Sequence, residues 1–223
     1  MSAAWLAGVR HLVFDWNGTL IDDIDLAVAS VNRCCARFDA EPVTRERYRR
    51  EFGFPIAGFY SRLGFDFNRH PFADIVAVYL EHFDAHVARC PIHDGVHELL
   101  ELAAARGIAV SVLSASQRDV LVRTLEAKRL LDRFQHVVGL GHTHASGKLE
   151  EARELQCRLN LPPEDTLFIG DTLHDCEVAR QVGWRALLVE TGHQDRKRLD
   201  EGGAPVCASL SQLLPALAAS GEP

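Results

Sequence analysis

Residues 9–20 read VRHLVFDWNGTL, and this stretch decides how the rest of the chain is taken. The apolar run Val9 to Phe14 is short and ends abruptly, which suits a buried strand better than a helix. It stops at Asp15 and meets Asn17-Gly18-Thr19, a turn sequence. A carboxylate therefore follows directly on the end of a strand.

Downstream, the pattern changes twice. From Asp22 to Cys90 it is helical and more polar, with Ala27, Val31, Cys34 and Phe38 at three- and four-residue steps. Breaks fall at Glu41-Pro42 and Gly53-Phe54-Pro55. From Pro91 strands and helices alternate. Strands are expected at Ile108–Leu113, Val137–Leu140, Thr166–Ile169 and Ala186–Val189. Helices are expected at Val96–Arg106, from about Gln117 to Leu131, from Lys148 to Leu159, after Asp171 to Gly183, and around Leu210 to Ala218. Alternation of this kind implies an α/β fold, a Rossmann-like parallel sheet covered by helices on both faces. Residues 22–90 are then a helical insertion into a core made of 1–21 and 91–223.

Ligands of such sheets gather at the carboxyl ends of the strands. Four features fall there: Asp15, Ser114 in VLSAS, Lys148 opening a helix, and Asp171 with Asp175 in FIGDTLHDCEVA. Each alone has an ordinary reading, a helix cap or a solvated charge. Their shared order and placement suit phosphoryl transfer. Asp15 can attack phosphorus and form an aspartyl phosphate. A carboxylate facing a phosphate needs neutralising charge, which Mg²⁺ supplies through hard oxygen ligands. The expected ligands are Asp15, Asp171 and the backbone carbonyl of Asn17, with Asp175 one helical turn on. Ser114 and Lys148 are placed to neutralise the phosphate, with backbone amides around Trp16, Gly18 and Ala115 as further donors.

FDWNGTL, the serine of LSAS, Lys148 and GDTLHD together resemble the haloacid dehalogenase superfamily of phosphatases, in particular its phosphoglycolate phosphatase-like branch. The resemblance spans nearly the whole chain, and it implies that residues 22–90 form a small helical cap. It also exposes a departure. Such phosphatases carry an aspartate two residues after the nucleophile, which protonates the leaving oxygen and later activates water. Asn17 stands there. It can hydrogen-bond but cannot exchange a proton, so roughly 10²–10⁴-fold of rate is at stake. His174 and His93 are the positional candidates to replace it. The superfamily's dehalogenases lack that aspartate too, but they also lack the full carboxylate set, which argues against dehalogenation.

The remaining chemistry is sparse. Arg49 and Arg50, among the aromatics of YRREFGFPIAGFYSRLGF, are candidates to hold a second anionic group of the substrate if that loop dips over the site. His82 and His86 have zinc-compatible spacing but no third ligand. His142 and His144 read as loop residues, and TGHQDRKRL as a capped surface helix without assignable chemistry. Six cysteines without C-x-x-C spacing read as reduced thiols of a cytoplasmic protein. A net charge of −7 argues against nucleic acid or a membrane surface as partner, and no apolar run is long enough to span a bilayer. The expected partner is a small phosphorylated substrate, bound by a monomer or homodimer. The competing readings are a phosphotransferase and a binding or regulatory module that keeps the metal but hydrolyses little.

Overall fold

The computed structural model describes residues 6–141 and 148–219. Strand β1 (His11–Phe14) is central, with β2 (Ala109–Gln117) on one side and β4 (Thr166–Gly170) on the other. Adding β3 (His136–Leu140), β5 (Arg185–Val189) and β6 (Val206–Cys207) gives a parallel sheet of order β3-β2-β1-β4-β5-β6. The order reverses beside β1, so a crevice opens between the carboxyl ends of β1 and β4.

The period-two pattern of the strands explains why both faces are covered. Val13, Leu113 and Phe168 point to one face, where α7 (Leu149–Leu159) and α8 (Leu173–Val182) contribute Leu155 and Val178. Leu12, Phe14, Val112 and Ile169 point to the other, against α5 (Val96–Ala105) and α6 (Arg118–Ala127). The latter cluster continues into four helices between β1 and β2: α1 (Ile24–Arg37), α2 (Arg45–Glu51), α3 (Ile56–Arg62) and α4 (Phe72–His86). In α1 the buried residues include Ala27, Val31 and Cys34, as the three- and four-residue steps predict. The chain leaves the sheet and returns along one narrow track. Ile21 bridges to Asn17 and Ile92, Asp22 N donates to Pro91 O at 2.9 Å, and His93 N donates to Leu20 O at 3.0 Å.

Several boundaries differ from the sequence expectation. β1 begins at His11, not Val9. β2 runs past Leu113 to Gln117 with a shift in register, so Ser114 and Ala115 lie within the strand's irregular end rather than after it. Helix α6 stops at Ala127, where Arg129 takes a left-handed φ of 57°. A sixth strand, β6, extends the sheet edge, and a short helix α9 (Arg196–Asp200) precedes it. The closing α10 (Leu214–Ala219) follows a 3-10 turn at Leu210–Leu213. All six cysteines carry free thiols, and no helix among the described residues is long and apolar enough to cross a membrane.

Candidate active site

Asp15 sits one residue beyond β1 and Asp171 one beyond β4, so the switch point brings them together. Asp175 joins them from the first turn of α8. Ligand oxygens from these three carboxylates lie within 4.8 Å of one another, and all three residues are buried. It is the single cluster of its kind among the described residues. His82 and His86 instead bond to Ser30 and to the His82 carbonyl. His142 and His144 lie outside the described residues.

Lys148 reaches into this cluster and is 1 % exposed, so its charge must be paired locally. Its Nζ lies 2.8 Å from Asp15 Oδ1 and 2.7 Å from Asp175 Oδ1, and donates to the Leu113 carbonyl at 3.3 Å. Burial opposes the ammonium, but the two carboxylates outweigh it and raise its pKa. Asp175 has a second task at the helix start. Its Oδ2 accepts from Asp171 N, Thr172 N and Thr172 Oγ1, which fixes the turn that carries Asp171. Burial would raise the Asp175 pKa, yet Lys148 and these donors hold it below the usual carboxylate range. Asp15 and Asp171 go the other way. Burial, reinforced by neighbouring carboxylates, lifts Asp15 to about 7 and Asp171 to about 6.

Asn17 is held from three sides. Its Nδ2 donates to Asp23 Oδ2 at 2.7 Å, while its Oδ1 accepts from Ser116 Oγ at 2.7 Å and Ser114 Oγ at 3.3 Å. A carboxylate thus stands beside position 17, contributed by Asp23. The backbone amides expected to face phosphate already have acceptors. Trp16 N donates to Asp15 Oδ1 at 2.7 Å, and Gly18 N to Asp23 Oδ1 at 2.8 Å. Ala115 and Ser116 line the cavity that opens on Asp15 and Asn17.

Sequence reasoning misses Asp23 and His193. His193 Nε2 lies 3.3 Å from Asp23 Oδ1, its Nδ1 2.9 Å from Tyr48 Oη, and its backbone N donates to Asp171 Oδ2 at 2.6 Å. Burial disfavours the imidazolium, but Asp23 above all, then Asp171 and Asp15, raise its pKa to about 9. TGHQDRKRL is therefore more than a surface helix. Asp195 does cap α9 by accepting from Arg198 N, but the residues before it wall the site. Gly18 and Gly192 make the close packing possible. A Cβ at either would run into the Asp171 carboxylate, and Gly18 has a φ of +71° besides.

The positional histidines fare differently. His174 stacks on Phe54 with centroids 4.4 Å apart, and burial lowers its pKa. Burial likewise lowers that of His93. Neither lines the cavity at Asp15, whereas His193 does. Nor do the arginines reach it. Arg49 donates to the backbone carbonyls of Glu190, Gly192 and Gln194, clasping the loop that carries His193, and Arg50 is exposed beside Glu51. In these positions neither arginine lies on the cavity lining, and the carbonyls hold the Arg49 guanidinium.

The carboxylate set suits a divalent cation. Asp15, Asp23, Asp171 and Asp175 are buried together with two cations, Lys148 and the His193 imidazolium. Four negative charges against two positive leave a deficit that one divalent ion would close. Burial first, and the neighbouring carboxylates after it, raise the Asp15 and Asp171 pKa values in the absence of such an ion.

The fold and this strand-end constellation define the chain as a member of the haloacid dehalogenase-like hydrolase family, whose model matches residues 12–189. It is an enzyme of that hydrolase class. Among its relatives, a phosphoglycolate phosphatase of Synechococcus elongatus is 27% identical over 195 residues, covering 86% of this chain and 88% of the relative. An N-acetylmuramic acid 6-phosphate phosphatase of Pseudomonas putida is 26% identical, with 83% of this chain and 84% of that one covered. A haloacid dehalogenase-like hydrolase from Streptococcus pneumoniae has a similar fold, with a TM-score of 0.81 at 16% identity, over 93% of this chain and 98% of that one.

Proposed function

We propose that the protein is a Mg²⁺-dependent phosphomonoester hydrolase in which Asp15 is the nucleophile. The observation that carries this reading is the Asp15 carboxylate at the β1 end, 2.8 Å from Lys148 Nζ and clustered with Asp171 and Asp175. Asp15 and Asp171, with the Asn17 carbonyl, would hold the ion, and Asp175 would reach it directly or through water. Bound there, Mg²⁺ supplies charge neutralisation between the substrate phosphate and the carboxylates.

The residues of the chain account for the rest. An Asp15 carboxylate oxygen bonds to phosphorus as the ester P–O bond breaks, and the alcohol leaves. Water then cleaves the aspartyl phosphate, returning the carboxylate and inorganic phosphate. Lys148 balances charge on Asp15 and the phosphate, and Ser114, whose hydroxyl otherwise donates to Asn17 Oδ1, would turn it to a phosphate oxygen. Asn17 orients the leaving oxygen but has no proton to give, so the proton comes from solvent or a neighbouring group. Residues 22–90 act as a cap over the crevice, and their entry and exit at Ile21 and Ile92 act as the hinge.

The deciding experiment is a phosphatase screen with Mg²⁺ over aryl, acyl and alkyl phosphates, comparing wild type with Asp15→Asn. Activity that survives in Asp15→Asn removes Asp15 as nucleophile. The hydrogen bonds that hold the Asn17 carboxamide also favour a second outcome, a phosphoenzyme slow to hydrolyse that passes its phosphoryl group to another acceptor. Intact-mass measurement after rapid quench would reveal it as added phosphate on Asp15.

A further inference from the structure

The cavity that opens on Asp15 and Asn17, about 180 Å³ in volume, changes character away from the carboxylates. Its far wall is made by Phe52 and Phe54 from the α2–α3 connection and by Val76, Leu80 and Phe83 from α4. Val76, Leu80 and Phe83 recur at three- and four-residue steps, so α4 turns one apolar stripe toward the catalytic end. A second cavity of about 140 Å³ shares Tyr48, Phe52, Val76, Tyr79 and Leu80 with the first and is closed by apolar and aromatic side chains. The space beside the nucleophile thus adjoins an apolar cavity within the helical segment, with those five side chains between them.

Charge points the same way. No lysine or arginine among the described residues lines either cavity. The histidine that does, His193, is paired with Asp23, and a further carboxylate, Asp84, stands on the wall. Arg49 is turned to backbone carbonyls. A second anionic group on the substrate would find no lysine or arginine on the lining and would meet Asp84, whose backbone carbonyl already holds the nearby Arg123. An uncharged hydrocarbon would find a surface of matching polarity. A dry apolar cavity of roughly 150 Å³ accepts a benzene ring, so the adjoining apolar cavity of about 140 Å³, with the Phe52 and Leu80 side of the first, suits an aromatic or medium alkyl group.

We infer that the substrate is a phosphomonoester of an apolar, uncharged alcohol, its hydrocarbon part lying between Phe52 and the Val76–Leu80 stripe. The inference rests on the phosphatase reading and narrows it, away from phosphorylated carboxylic acids. Ethyl, butyl and hexyl phosphate separate it from leaving-group chemistry, because their alcohols have nearly equal acidity. With Mg²⁺, kcat/KM should rise about fourfold per methylene, on the order of 10²-fold from ethyl to hexyl. Phosphoglycolate should fall at least about tenfold below ethyl phosphate, since its carboxylate is left unpaired. Leu80→Arg should narrow the preference, gaining at least about tenfold for phosphoglycolate relative to hexyl phosphate. A series flat in chain length, or a wild-type preference for phosphoglycolate, would overturn the inference. If wild type hydrolyses none of these esters and no aryl or acyl phosphate either, the phosphatase reading fails separately. Calorimetric titration of the same series into the Mg²⁺-loaded protein then decides the cavity's preference: affinity rising with chain length sustains it, and equal affinity refutes it.

Discussion

Restoring aspartate at position 17 should, on its own, return little of the missing rate. Asn17 Nδ2 lies 2.7 Å from Asp23 Oδ2 and donates to it. In Asn17→Asp a carboxylate oxygen would replace that donor at the same distance. Two unit charges so placed repel by about 6 kcal/mol at an effective dielectric near 20, which corresponds to roughly four pKa units. The pair cannot both ionise, so one proton stays shared between positions 17 and 23. That proton is held against Asp23 rather than delivered to a leaving oxygen. The exchange Asn17→Asp with Asp23→Asn removes the conflict. The carboxamide oxygen newly placed at position 23 can still accept from Gly18 N and face His193 Nε2, while its amide group donates to the new carboxylate at position 17. The double variant should gain roughly 10²–10⁴-fold in kcat toward alkyl phosphates, the range of a positioned acid–base group. The single variant should gain under about tenfold. Steady-state kinetics with Mg²⁺, recorded as a pH profile because the two positions would titrate as a coupled pair, gives the comparison. A single variant as fast as the double would refute the reasoning, because Asp23 would then exert no hold on the proton.

Metal binding should depend on pH through Asp15 and Asp171. Their folded pKa values, about 7 and about 6, lie above the ordinary 3.8, so in the metal-free protein their protons stabilise the fold at low pH. That contribution is complete below about pH 3.8 and is lost as pH rises through 6 to 7. Mg²⁺ replaces those protons, so its thermal stabilisation should be small at about pH 5 and large at about pH 8; an equal Tm shift at both would exclude these carboxylates as ligands. Lys148→Met should abolish activity and cost roughly 3–5 kcal/mol in urea unfolding near neutral pH, because two buried carboxylates lose their cation. A loss under about 1 kcal/mol would mean the pair is not buried as described. Tyr48→Phe leaves His193 Nδ1 without its 2.9 Å partner and should cost about 1–3 kcal/mol by the same measurement. Arg49→Ala should loosen the loop at Glu190–Gln194 and lower kcat/KM for singly and doubly anionic substrates by the same factor; a selective loss for the doubly anionic one would restore Arg49 as a substrate ligand.

Much of this site is legible from residue order because strand ends are legible. Asp15 and Asp171 each close an apolar run, and the turn residues after them mark where the sheet stops. Lys148 and Asp175 are readable because each opens or follows a helix at a fixed step from those ends. His193 carries no such mark. It lies in a polar loop without periodicity, and its partners Tyr48 and Asp23 are remote in sequence, so only the fold makes them neighbours. Asp23 is hidden for the opposite reason, since beside Asp22 it looks like a helix cap although its side chain turns inward to Asn17 and Gly18. The end of β2 escapes the pattern because Ser114–Gln117 is polar, and strand pairing there is set by the Leu140 neighbour rather than by apolar alternation. β6 has two residues, too few for any pattern to register.

The pairing of β1 with β4 has a consequence for how the protein is made. Asp15 leaves the ribosome early, but the strand that seats Asp171 beside it is synthesised about 150 residues later, and His193 later still. Until then the growing chain has Asp15 without the two carboxylates it clusters with. The carboxylate cluster is therefore completed only late in translation, and a nascent chain stalled before Asp171 would lack the site to which the proposed metal and nucleophile belong.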